Sequence, residues 1–179
     1  MINFITLSEK QFRLTNMYKG LYANHILISI GSETEKLDIP NLPSCKGVLK
    51  LEFDDILGCE LDKVCFDSDM ARRILDFVDS HINSISLIVC QCKAGLSRST
   101  AIASALSKII NHQDDGIFRN TIPNMMIYTT ILDEYFLDSQ PSSKWPSIYF
   151  IKNKVMSTNL DMPTYRLWKY RFENGGKGE

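Results

Sequence analysis

The stretch VCQCKAGLSRST, residues 89–100, decides how the rest of the chain is read. It ends SISLIVCQ (84–91), a continuous apolar, β-branched run that reads as a central strand covered on both faces. It opens STAIASALSKII (99–110), a small-residue helix able to pack closely on a sheet. Between the two, Gly95 permits a backbone conformation that other residues resist, and Ala94 keeps bulk out of the loop. The N–H groups of Lys93, Ala94, Gly95, Leu96, Ser97 and Arg98 can then turn inward, and the following helix adds its positive end. Arg98 offers a planar fork suited to two oxygens of one anion. At the bottom of such a bowl, Cys92 is placed to act as a thiolate. Nucleophile, oxyanion cradle and bidentate cation together are equipment for attack on a phosphate ester. The plainer reading is a buried strand followed by an ordinary helix start. A bare C-x5-R would leave that reading ahead; the strand before it and the helix after it supply the context that makes the motif work.

Near the N-terminus, INFITL (2–7) alternates weakly and reads as an edge strand, and Ser8 with Gln11 forms a capping-box pattern that starts a short helix near residue 9. HILISIG (25–31) and GVLKLEF (47–53) read as strands, the first buried and the second alternating. DMARRILDFVDSHI (69–82) spaces Met70, Ile74, Phe77, Val78 and Ile82 along one helical face. PNMMIYTTILDEYFL (123–137) is a further helix, with Pro123 placed at its entry. Strands alternating with helices around a buried strand predict an α/β domain with a central, mostly parallel sheet and helices on both faces. The catalytic-type domain is expected over residues 1–140. Residues 141–179, broken by Pro141, Pro146 and Pro163 and rich in aromatics, are expected to pack on that domain as an extension with a frayed glycine-rich end.

Composition limits the remaining classes. At 179 residues, 44% hydrophobic and 23% charged, the chain reads as one soluble domain with a sizeable core. A formal net charge of -1 gives no global argument for binding nucleic acid or a membrane, so any electrostatic site must be local. The segment YRLWKYRF (165–172) is read as anchoring a tail rather than holding nucleic acid. No bilayer-spanning apolar run and no secretory start are evident, which predicts a reducing cytoplasmic setting. Five unevenly spaced cysteines (Cys45, Cys59, Cys65, Cys90 and Cys92) argue against a disulfide framework. Scattered histidines, and Cys90 and Cys92 expected on alternate strand faces, argue against a metal site.

The loop and its flanks resemble the cysteine-dependent tyrosine phosphatase superfamily, in particular its small dual-specificity branch. That signature, H-C-x-x-G-x-x-R-S/T, is matched by Cys92, Gly95, Arg98 and Ser99, and a downstream P-N pair opening a helix is matched by Pro123 and Asn124. The helix ARRILDFVDSH (71–81) stands at the family's distance before the signature strand, and the resemblance covers roughly residues 25 to 137. It implies a dual-specificity-phosphatase-like fold, a phosphocysteine intermediate on Cys92, equatorial phosphate oxygens held by Arg98 and the loop amides, and Ser99 assisting the departing thiolate. It implies an aspartate general acid on an upstream loop, for which Asp55 fits best and Asp54 second. Asp67 and Asp69 suit a helix N-terminus instead. Asn124 is a candidate buttress of the loop, or simply a helix cap. Gln91 stands where the family has histidine; glutamine carries no charge, so the thiolate is expected to be less favoured and turnover slower. No cofactor or metal is implied, and the implied partner is a phosphorylated protein. The alternatives left open are hydrolysis of RNA 5′-phosphates or phosphoinositides, the latter suggested by Lys93, and a catalytically weak module that only binds a phosphorylated partner.

Overall fold

Strand β4 (Leu87–Cys92) is buried along its whole length and sits inside the sheet, as its unbroken apolar run demands. The computed structural model describes residues 1–17, 23–32, 44–58, 61–118 and 121–137. Around β4, strands β1 (Asn3–Ser8), β2 (His25–Gly31) and β3 (Cys45–Glu52) complete a four-stranded sheet in the order β1-β4-β2-β3. Every pairing is parallel, with Ile5 opposite Val89 and Ile28 opposite Cys90. The two alternating strands, β1 and β3, are the edges.

Strand side chains alternate between faces, so the sheet carries two different covers. Ile26, Ile28 and Ile30 of β2 share the larger core with Ile88, Cys90 and Cys92 of β4. That core is closed by α2 (Ser68–His81), α3 (Arg98–Asn111) and α5 (Met125–Leu137). Leu27, Leu87 and Val89 face the opposite way, onto Phe12 of α1 (Glu9–Met17). Helices thus flank both faces, as the alternation of elements predicts. Cys90 and Cys92 lie two residues apart and share one face, which corrects the expectation that they alternate.

The helix starts follow the side-chain chemistry. Gln11 N–H donates to Ser8 Oγ at 3.2 Å while Ser8 N–H donates to Gln11 Oε1 at 2.8 Å, a closed capping box. Asp67 caps α2 by accepting from Met70 N–H at 2.8 Å. The buried stripe of α2 is Ala71, Ile74, Leu75 and Val78; Met70 and Phe77 sit at its half-buried margins. Asn124 caps α5, accepting from the amides of Met126 at 3.1 Å and Ile127 at 3.4 Å. Pro123 therefore lies before the cap rather than in the first turn. A 3₁₀ turn at Ile82–Ser84 and the four-residue α4 (Asp115–Phe118) are too short to leave a periodic signal in the sequence. The extension expected over 141–179, and Cys59, lie outside the described residues. Among the described residues no helix is long and apolar enough to cross a membrane.

Candidate active site

The loop from Lys93 to Ser97 joins the end of β4 to the start of α3, and Gly95 makes its turn possible. Gly95 has φ +73°, a left-handed conformation that costs any other residue about 1 kcal/mol or more. The position is also sterically closed. A Cβ there would lie 2.5 Å from Ser8 N and 2.8 Å from the Leu7 carbonyl carbon, both backbone atoms that cannot rotate away. The loop is thus pressed onto the β1–α1 junction, and Glu9 N–H donates to the Lys93 carbonyl at 3.2 Å.

At the bottom of the loop Cys92 is 2% exposed, with Gly95 N–H donating to its Sγ at 3.2 Å and Ser99 Oγ 3.1 Å away. An amide donor and a hydroxyl thus meet on one sulfur. Burial, followed by the nearby Cys92, pushes the thiol of Cys90, two residues earlier, well above the ordinary 9.0. Cys90 is therefore held neutral in the core, as its position on a central strand predicts. Arg98 is 6% exposed, and its Nη1 donates to the carbonyls of Phe53 at 2.8 Å and Gly31 at 3.3 Å. Those carbonyls end β2 and follow β3, so the guanidinium plane is fixed against the carboxyl edge of the sheet. Lys93, Ala94 and Leu96 are exposed on the loop; Ser97 is half-buried.

The two adjacent aspartates after β3 have separate fates. Asp54 N–H donates to the Val64 carbonyl at 2.8 Å, and its Oδ2 accepts from Val64 N–H at 2.9 Å, closing the base of the 54–64 loop. Asp55 turns toward the Cys92 loop instead. Its Oδ1 accepts from Ser97 Oγ at 2.8 Å and from Asn124 Nδ2 at 3.0 Å. Asn124 also donates to the Ile56 carbonyl at 2.9 Å, so it caps α5 with its oxygen and ties the aspartate loop with its nitrogen. The 121–124 segment is joined to the Cys92 loop through Ile122 N–H to the Leu96 carbonyl at 3.1 Å. Leu57, Leu96 and Ile122 are all exposed on these three neighbouring segments.

Gln91 is buried on the face opposite Cys92, where its Oε1 accepts from Ser29 Oγ of β2 at 3.0 Å. It acts between strands, as an acceptor, rather than on the sulfur. Asp67 caps α2 and Asp69 lies in its first turn, and Asp62 is an exposed turn residue with φ +66°. Among the described residues no cluster of three or more His, Cys, Asp or Glu side chains could hold a metal ion. Three contributors were not singled out from sequence: Ser97 as the anchor of Asp55, the Gly31 and Phe53 carbonyls beneath Arg98, and the Ser8 backbone behind Gly95. Ser97 carried a signal, since a hydroxyl one residue before Arg98 is poised at the helix start. The others depend on which strands become neighbours.

No protein-family model and no curated protein matches the chain. Solved structures match it. The crystal structure of PTPMT1 in complex with PI(5)P aligns with a TM-score of 0.51 at 11% identity, covering 76% of this chain and 95% of that one. OH1 from the Orf virus, described as a tyrosine phosphatase with triple substrate specificity, aligns at 0.49 and 10%, covering 78% and 85%. The human tyrosine phosphatase-like serine/threonine/tyrosine-interacting protein aligns at 0.48 and 16%, covering 74% and 87%. At these identities the likeness is one of fold. The chain has an α/β, dual-specificity-phosphatase-like fold.

Proposed function

We propose that this chain hydrolyses phosphomonoesters through a phosphocysteine intermediate, with phosphorylated tyrosine, serine or threonine side chains of proteins as substrates. The observation that carries the reading is the convergence on one loop of a buried sulfur, its two hydrogen-bonding partners, the Arg98 fork and the Asp55 carboxylate. In the first step Cys92 Sγ attacks phosphorus; the S–P bond forms, the bond to the ester oxygen breaks, and Asp55 gives that oxygen its proton. Arg98 and the loop amides hold the equatorial oxygens where charge develops. In the second step water attacks phosphorus, Asp55 takes its proton, and the S–P bond breaks with Ser99 donating to the departing thiolate. Ser97 and Asn124 hold the aspartate over the loop, both through Oδ1, which leaves Oδ2 to carry the transferred proton. The exposed Leu57, Leu96 and Ile122 supply apolar surface for the organic part of the ester. No metal or organic cofactor takes part in these steps.

The test is hydrolysis of a small aryl phosphate by the wild type and by Cys92→Ser, with orthovanadate as inhibitor. Vanadate-sensitive turnover that Cys92→Ser abolishes is expected. A folded wild-type protein inert from about pH 5 to 8 would sink the enzyme reading and leave a phosphate-binding module.

A further inference from the structure

The two edges of the sheet are built differently. Strand β3 exposes Lys46, Lys50 and Glu52 along its length, and its pairing with β2 carries a register shift between His25 and Ile26. Charges and irregularities of this kind keep an edge from pairing with another chain. Strand β1 has no charged residue and no proline from Asn3 to Ser8, and it pairs with β4 without a shift. Asn3 N–H donates to the Ser86 carbonyl at 3.0 Å, so the backbone groups of Asn3, Ile5 and Leu7 face β4. Those of Ile2, Phe4, Thr6 and Ser8 face outward. The two ends of that outward row are closed by the chain's own side chains. Asn111 Nδ2 donates to the Ile2 carbonyl at 2.7 Å while its Oδ1 accepts from Ile2 N–H at 3.2 Å, and Ser8 N–H donates to Gln11. Between them, among the described residues, nothing meets the N–H and carbonyl groups of Phe4 and Thr6.

We propose that this edge joins two copies of the chain, the β1 strands running antiparallel about an axis at Ile5. In that register Phe4 of one copy lies opposite Thr6 of the other, and residues so opposed exchange both N–H and carbonyl bonds. Two such pairs use every outward group of Phe4 and Thr6 in both copies and ask nothing of Ile2 or Ser8. A guest strand of ordinary length, about five or six residues, would run into those occupied positions. The short opening therefore fits a second copy better than an extended segment of a different protein. Phe4 against Thr6 is an aromatic–β-branched pair, and Ile5, 36% exposed, meets its own counterpart on the other face of the sheet. No charge lies in the strand to be doubled across the axis. The sheet of one copy thus continues into that of the other. The proposal is independent of the phosphatase reading.

The experiment is sedimentation equilibrium of the full chain from about 1 to 300 µM, with a dissociation constant on the order of 10 µM expected for so small an interface. The mass should rise from 20.5 kDa toward twice that value. Ile5→Lys sets two ammonium groups beside each other at the axis and should weaken association about tenfold or more. Thr6→Pro removes an outward N–H, leaves the bonds to β4 in place, and should weaken it to a similar degree. Val48→Lys, at an exposed position on the other edge, should leave association within about twofold. Hydrogen exchange of the wild type decides the point if a variant does not fold. The Phe4 and Thr6 amides should exchange more slowly at the highest concentration than at the lowest. A chain that stays monomeric throughout, or association that survives both β1 variants or is lost equally in Val48→Lys, would overturn the proposal. So would Phe4 and Thr6 amides that exchange alike at both concentrations; slow exchange in the monomer would mean that another part of the same chain covers this edge.

Discussion

Asp54 and Asp55 are chemically identical neighbours given different work by their hydrogen bonds. Asp54 accepts a backbone amide and closes its own loop; Asp55 accepts from Ser97 and Asn124, side chains that belong to two other segments of the site. The sequence favours Asp55 by its distance from the end of β3 but cannot separate the pair firmly, because the choice depends on contacts across the fold. If Asp55 is the proton donor, Asp55→Asn should slow esters with poor leaving groups about a hundredfold or more while slowing activated aryl phosphates less than about tenfold. Asp54→Asn keeps an oxygen that can accept from Val64 and should leave both rates within about threefold. Equal losses on both esters in Asp55→Asn would remove it from that role. Gln91 is the converse case. Its departure from the resemblance is plain in the sequence, but its partner is not: it is buried away from Cys92 and bonded to Ser29.

At the scale of the element, the Cys92 loop is shaped from outside as much as by its own residues. The β1–α1 junction lies behind Gly95, the ends of β2 and β3 lie under Arg98, and the 121–124 segment bonds to Leu96 and Ser97. Gly95→Ala must either push Ser8 away or give up the left-handed turn. We expect it to destabilise the protein by about 1–3 kcal/mol in urea unfolding and to lower kcat on an aryl phosphate at least tenfold. Wild-type activity with unchanged stability would contradict the close approach. That Gly95 has to turn was legible in the sequence. That its missing Cβ makes room for Ser8 was not, since this follows from β1 pairing with β4, a strand far from it in the sequence. The capping box at Ser8 was legible because both partners lie within four residues.

At the scale of the whole molecule, four parallel strands bring Ser8, Gly31, Glu52 and Cys92 to one edge of the sheet, where ligands of open α/β sheets bind. The apolar run of β4 and the alternation of strands and helices made this architecture readable. The order β1-β4-β2-β3 was not, because a pattern of buried positions does not say which strand lies beside which. The dense core also sets a pH limit on stability. Burial raises Cys90 above its ordinary 9.0 and Tyr135 above its ordinary 10.0, so both are neutral in the folded state. Their contribution is complete below about pH 9 and is lost as pH rises, because the unfolded chain ionises first. Urea unfolding between about pH 8 and 10.5 should show stability falling by up to roughly 1.4 kcal/mol per pH unit for each group past its ordinary value. Cys90→Val should remove the part of the decline that begins near pH 9, and a flat profile would contradict the burial argument.

In the proposed reaction phosphoryl groups pass through Cys92. The most direct measurement is intact-mass and peptide analysis of protein mixed with an aryl phosphate and quenched in acid within the first turnover. One phosphoryl group per chain is expected, on Cys92, formed in Asp55→Asn as well as wild type and absent from Cys92→Ser. Turnover with no adduct on Cys92, or undiminished turnover by Cys92→Ser, would contradict it.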